Sequence, residues 1–123
     1  MGYESRLYVV EKSTLTEDNG LRYAYIVATF NMCVCPVTYN LRNNPETDCY
    51  FYEDNGDTRV FEDRYGKPLT ETTISDVVLM LEEAINSGED YRRLFPLLAA
   101  LKEFKRLSDN GKWENLVVLL YGY

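Results

Sequence analysis

The sequence predicts an α+β domain, a mostly antiparallel sheet of about five strands with two helices packed on one face, in chain order ββββααβ. Three observations carry that expectation. Early segments alternate apolar and polar residues at the two-residue period of strands, residues from 74 onward switch to helical spacing, and the chain ends in an unbroken apolar run. At 123 residues the chain is the size of one domain, so a single unit over 1–123 is expected.

Residues 6–11 (RLYVVE) are rich in strand formers. A loop over 13–20 leads to a second strand at about 22–32 (RYAYIVATFNM). Residues 36–47 contain Pro36, Asn43, Asn44 and Pro45 and are expected to form a loop. Segments 48–53 and 58–62 flank Asn55-Gly56, a dipeptide suited to positive φ at successive positions, and therefore predict a hairpin. A two-residue turn there sets Tyr52 opposite Arg59 and Tyr50 opposite Phe61. Residues 64–71 read as a connection.

Ile74, Val77, Val78, Leu81 and Ile85 then follow the spacing of one buried helix face. Thr73 is the expected N-cap, with Asp76 three residues on, and Gly88 the expected stop. A second helix is expected from about 90 to 108, with Leu94, Leu97, Leu98, Leu101 and Phe104 inward. Pro96 cannot lie deep in a helix, so either a short turn precedes it or the main helix begins there. Asn110-Gly111 closes the segment. Residues 116–120 (LVVLL) lack alternation, as a strand buried on both faces does.

Alternation sorts the strands into two sets. Leu7, Val9, Ala24, Ile26, Ala28, Phe30, Cys49, Phe51 and Val60 form an aliphatic set suited to a face covered by helices. Arg6, Tyr8, Val10, Tyr23, Tyr25, Val27, Tyr50, Tyr52, Arg59 and Phe61 form the other. Within the second set Tyr8, Tyr23, Tyr25, Tyr50, Tyr52 and Arg59 are the expected interaction residues, because Tyr and Arg combine large contact area with a polar tip. The structural alternative is that tyrosines suit half-buried strands and pack on one another. A register slip of one residue would swap the sets within a strand.

Composition narrows the chemistry. There is no histidine, which removes imidazole acid/base catalysis, His-dependent nucleophile arrangements and His-based zinc sites. Three cysteines, Cys33, Cys35 and Cys49, are one short of a four-cysteine zinc site and read as reduced core residues. No Gly-rich phosphate loop precedes a Lys-Ser/Thr pair. Aligning Gly56 with the glycine of a calcium loop puts Phe51 at the first ligand position, which breaks that site. Asp54 and Asp57 offer only a loose divalent contact. No catalytic residue, metal site or cofactor is therefore expected, and the chain is read as a non-enzyme.

The net charge is −7, and residues 41–76, with nine acids and four bases, supply most of it. Such a surface repels phosphates and membrane headgroups and attracts basic proteins, so a protein partner is expected and direct nucleic-acid binding is disfavoured. Glu53, Asp54, Asp57, Glu62 and Asp63 are the acidic interaction candidates. No apolar run is long enough to span a membrane, and the first residues lead straight into a strand-like segment, so a cytoplasmic location is expected.

Segments 1–12 (MGYESRLYVVEK), 47–69 (TDCYFYEDNGDTRVFEDRYGKPL), 90–95 (DYRRLF) and 113–123 (WENLVVLLYGY) resemble a family of small uncharacterised proteins encoded by phages and prophages of Gram-positive bacteria. The resemblance spans most of the chain and carries over no site residue. It implies a phage accessory protein acting in the host cytoplasm. Small, acidic, histidine-free phage proteins include inhibitors of host defence, among them anti-CRISPR proteins that present carboxylates to a nucleic-acid-binding groove.

Several readings stay open. One is an acidic phage accessory protein that binds a protein and blocks its nucleic-acid-binding surface. Another is a small-molecule or nucleotide binder using the aromatic sheet face, for which a homodimer is one arrangement. A metal-assisted hydrolase with clustered carboxylates ranks below both, and a domain with no discrete site completes the set.

Overall fold

In the computed structural model the described residues are 4–53, 56–88, 92 and 94–123. Asp54 and the expected helix start at Asp90 lie outside them. Strand β1 (Glu4–Lys12) pairs antiparallel with β2 (Arg22–Val34) on one side and with the C-terminal β6 (Leu116–Gly122) on the other. Between β2 and β6 the chain forms α1 (Pro36–Tyr39), a 3-10 turn (Asn40–Asn43), β3 (Cys49–Tyr52), β4 (Arg59–Val60), β5 (Thr70–Thr73), α2 (Ile74–Asn86) and α3 (Leu94–Asp109). The sheet has six strands in the order β4-β3-β2-β1-β6-β5.

The α+β class holds, and the strand count and order change. The sheet is mixed, because β3 runs parallel to the start of β2, with Arg22 beside Cys49 and Tyr23 beside Tyr50. Residues 36–47, expected as a loop, wind into α1 and the 3-10 turn, since Pro36 sits at the helix N-terminus where its missing N–H costs nothing. Within the expected connection 64–71, β5 begins at Thr70 and pairs with β6 despite its polar sequence TETT.

Packing explains the arrangement. Leu7 and Val9 of β1, with Leu116, Val118 and Leu120 of β6, face the helices and meet Val77, Leu81, Leu94, Leu97 and Leu101. Tyr8, Val10 and Leu119 point the other way, into a second core with Ala24, Cys49, Phe51, Val60 and Leu69. Among the described residues no helix contributes to that second core; the sheet covers itself by curling. Segment 68–71 stitches the curl together. Leu69 N–H donates to Phe61 O at 3.2 Å, its carbonyl accepts from Thr47 N at 2.9 Å, and bridges join Glu46 to Thr70 and Glu62 to Pro68.

A β-bulge in β2 sets which strand residues face which core. Val9 pairs with Ala28 and Val10 with Ile26, leaving Val27 as the extra residue. Val27, Ala28 and Phe30 accordingly pack toward the helices, while Ala24 and Ile26 join the second core. The single aliphatic face expected from alternation is thus divided: Leu7, Val9, Ala28 and Phe30 meet the helices, whereas Ala24, Ile26, Cys49, Phe51 and Val60 do not. Constant phase along β2 was the assumption that failed.

The helix ends follow their sequence signals. Thr73 Oγ1 accepts from Asp76 N at 3.2 Å. Pro96 is the third residue of α3, so the main helix begins just ahead of it, where backbone N–H groups lack partners in any case. Gly111, at φ +73°, ends α3 with Gly111 N bonded to Ser108 O and Lys112 N to Leu107 O, a pair that satisfies carbonyls left open by the helix. No helix among the described residues is long and apolar enough to cross a membrane.

The second core should carry stability as the first does. Leu119 is fully buried there, so Leu119→Ala is expected to cost about 2–5 kcal/mol in denaturant unfolding, while Leu79→Ala on the exposed side of α2 stays within about 0.5. Equal, small losses for both would contradict the curled packing.

Candidate interaction surface and aromatic cleft

The β3–β4 hairpin forms in the expected register, Tyr52 opposite Arg59 and Phe51 opposite Val60. Its inner side chains enter the second core. Its outer ones, with Tyr23 and Tyr25 of β2, build an aromatic surface. Tyr50 is the hub, with its ring 5.9 Å from Tyr23, 5.8 Å from Tyr52 and 5.7 Å from Phe61. The Arg59 guanidinium lies 4.7 Å from the Tyr50 ring centroid.

Tyr50 is itself buried, at 4% exposure, and its hydroxyl donates to Glu17 of the loop that precedes β2. That bond, followed by burial, raises the phenol to about 12. Tyr25, at 58%, together with Tyr23, Tyr52 and Phe61, remains open to solvent.

The six expected interaction residues therefore do not share one face. Tyr23, Tyr25, Tyr52 and Arg59 lie outside, and Tyr50 supports them from below. Tyr8 is separated from all of these: it is buried in the second core, tilted on Phe51 at 4.8 Å between ring centroids. Strand register sets this: Val10 lies beside Ile26 and Tyr23 beside Tyr50, so Tyr8 shares a face with Ala24 and Ile26 while Tyr50 shares the opposite one with Tyr23.

Of the acidic candidates, Glu53, Asp57 and Glu62 are exposed. Asp63 has a local task, since its Oδ1 accepts from Tyr65 N at 2.8 Å and Lys67 N at 3.1 Å to shape a turn. With Asp54 outside the described residues, a cation held between Asp54 and Asp57 has no geometry to test.

One acidic cluster does converge. Asp48 and Glu71 lie beside Cys49, with candidate ligand atoms within 4.8 Å of one another. Their charge is answered from within the protein: Lys12 Nζ is 3.0 Å from Asp48 Oδ1 and 3.1 Å from Glu71 Oε1. Arg22 Nε approaches Asp48 Oδ2 to 3.2 Å, an ionic contact poorly aligned for a hydrogen bond. Burial opposes ionisation of Asp48, but Lys12 and Arg22 prevail and hold its carboxyl below the usual range. Burial likewise disfavours the Lys12 ammonium, and its two carboxylate partners raise it nonetheless. Burial pushes the Cys49 thiol up to about 11, which keeps it protonated and unreactive at neutral pH. This cluster is a structural tie between β1, β3 and β5.

The concave side of the curl holds an open cleft of about 760 Å³. Tyr8, Ile26, Phe51, Val60 and Tyr121 line it, with Arg6, Arg64, Thr29, Tyr52 and Glu53 supplying its polar groups. Arg6 and Arg64 are 58 positions apart in sequence, and only closure of the curl brings them to one cleft. Nothing in the local sequence around either marks such a site.

No family model, curated protein or solved structure matches this chain. The reading of the two surfaces therefore rests on their geometry.

Removing the central ammonium should be felt. Lys12→Met is expected to cost about 1 kcal/mol at neutral pH, a figure already discounted for solvent screening of the partly exposed Asp48. Because the folded carboxyl is depressed, its contribution is present above about pH 4 and lost as pH falls through the folded value. Acid unfolding profiles should be shallower in Lys12→Met than in the parent. At the alkaline end the sign reverses. The raised Tyr50 phenol stabilises the fold below about pH 10, and the gain is lost as pH climbs toward about 12. Tyr50→Phe should remove that part of the alkaline decline in a thermal-unfolding series, and an unchanged slope would exclude the Glu17 bond as its source.

Proposed function

We propose that this chain is a protein-binding accessory protein whose contact surface is the outer face of β2 and the β3–β4 hairpin. The observation that carries the reading is the exposed aromatic set Tyr23, Tyr25 and Tyr52 on β2 and β3, with Phe61 just past β4; Tyr23, Tyr52 and Phe61 gather around Tyr50. Aromatic side chains spend little conformational entropy for the area they bury, which makes such clusters effective anchors. Glu53, Asp57 and Glu62, exposed in and just after the hairpin, add negative charge to this part of the chain, which favours a basic partner and speeds encounter. A groove built to hold nucleic acid has that character. In its sharpest form the proposal is a phage accessory protein that occupies a host nucleic-acid-binding surface.

The test is affinity capture from host cells, followed by titration against the retained protein. Tyr23→Ala combined with Tyr25→Ala is expected to weaken binding about tenfold or more, the scale of a hot-spot loss, while thermal stability stays close to that of the parent. Affinity should also fall as salt rises, because the carboxylates act through screened charge. Binding indifferent to both the tyrosine substitutions and salt would overturn the assignment.

A further inference from the structure

We infer that the cleft on the concave side of the sheet is a second, independent binding site, for a small anion carrying a flat ring system. Its size falls in the range of ligand pockets, roughly 300–1,000 Å³, at about 760 Å³. The floor is aromatic and built into the core: Tyr8 meets Phe51 at 4.8 Å and Tyr121 edge-on at 6.1 Å. A flat ring entering there finds faces and edges to pack on without disturbing the fold.

The charge of the cleft runs against that of the protein. The chain carries −7 in total, yet among the described residues the cleft is lined by two arginines, Arg6 and Arg64, and one acid, Glu53. Arg6 is held ready. Its guanidinium stacks 4.5 Å from the Tyr123 ring centroid, and one nitrogen lies 3.5 Å from the Tyr8 hydroxyl. Tyr123 is fixed in turn, donating to Asn31 Oδ1 at 2.8 Å and accepting at its carbonyl from Tyr65 Oη at 2.9 Å.

Stacking on a ring engages the face of a guanidinium and leaves edge N–H groups for a bidentate anion. Arg64 is anchored by its backbone N–H to Gly122 O at 3.0 Å, and its side chain makes no ion pair among the described residues. Two arginines beside one aromatic floor, with one acid among the described lining residues, favour a ligand that brings negative charge and a ring together. Thr29, which also lines the cleft, adds a hydroxyl for such a ligand's polar edge.

Calorimetric titration of the full chain with the nucleoside monophosphates tests this, alongside the parent nucleosides and inorganic phosphate. Binding is expected for at least one monophosphate and should be weaker for its nucleoside and for phosphate alone. Arg64→Gln, an exposed position whose loss leaves the core intact, should weaken binding about tenfold or more, and Arg6→Gln similarly. Tyr25→Ala, on the opposite surface, should leave it unchanged, so failure here is separable from failure of the protein-binding assignment. Absence of heat with every monophosphate at millimolar concentration would overturn the inference. So would binding insensitive to both arginine substitutions.

Discussion

The fold depends on a strand that has no wet face. Val9 and Val10 of β1 are adjacent, point in opposite directions, and are both fully buried. A strand in that position demands a cover on each side, and two helices supply only one. The other cover is the sheet itself, curling until segment 68–71 joins the hairpin side to β5. The Val27 bulge lets a single long β2 serve both cores. Register is thereby pinned, because a slip of one residue in β1 would exchange the contents of two dry interiors.

Much of this was legible because it is local. The alternation of β1, the Asn-Gly hairpin, the Thr73 cap, the spacing of α2 and the unbroken apolar run of β6 each report on their own few residues, and each appears where its signal lies. What failed was long-range. The sequence TETT has no apolar pattern, and it becomes β5 because β6 offers an unpaired edge. The bulge leaves no mark in RYAYIVATFNM, so a constant phase assigned Ala24 and Ile26 to the helices. Alternation alone makes Tyr8 equivalent to Tyr50, since it records parity along one strand and is blind to the register between strands, which sets Val10 beside Ile26 and Tyr50 beside Tyr23. The same blindness hid the cleft, whose arginines meet only after closure.

The two sides of the hairpin consequently have different characters. Its inner residues, Cys49, Phe51 and Val60, complete a core and floor a cleft. Its outer residues, supported by Tyr50 and Arg59, stay available at the surface. Glu17 and Lys12 are the ties that hold this small element in place from outside the hairpin, through the Tyr50 hydroxyl and through Asp48. An element with only two paired residues in β4 needs such external restraint to present a fixed surface.

The closure at Leu69 has a consequence for behaviour at high concentration. Open sheets end in rows of unsatisfied amides that can recruit a neighbouring molecule and seed fibrils. Here β4 is only two residues long and β5 four, and the backbone groups of 68–71 already have partners on both sides. A chain with so many tyrosines and β-branched residues would otherwise be a candidate for stacking into filaments. Folding these two rims toward each other shields them, and the template that stays open is the outer edge of β2 beyond Tyr23, where pairing with β3 stops.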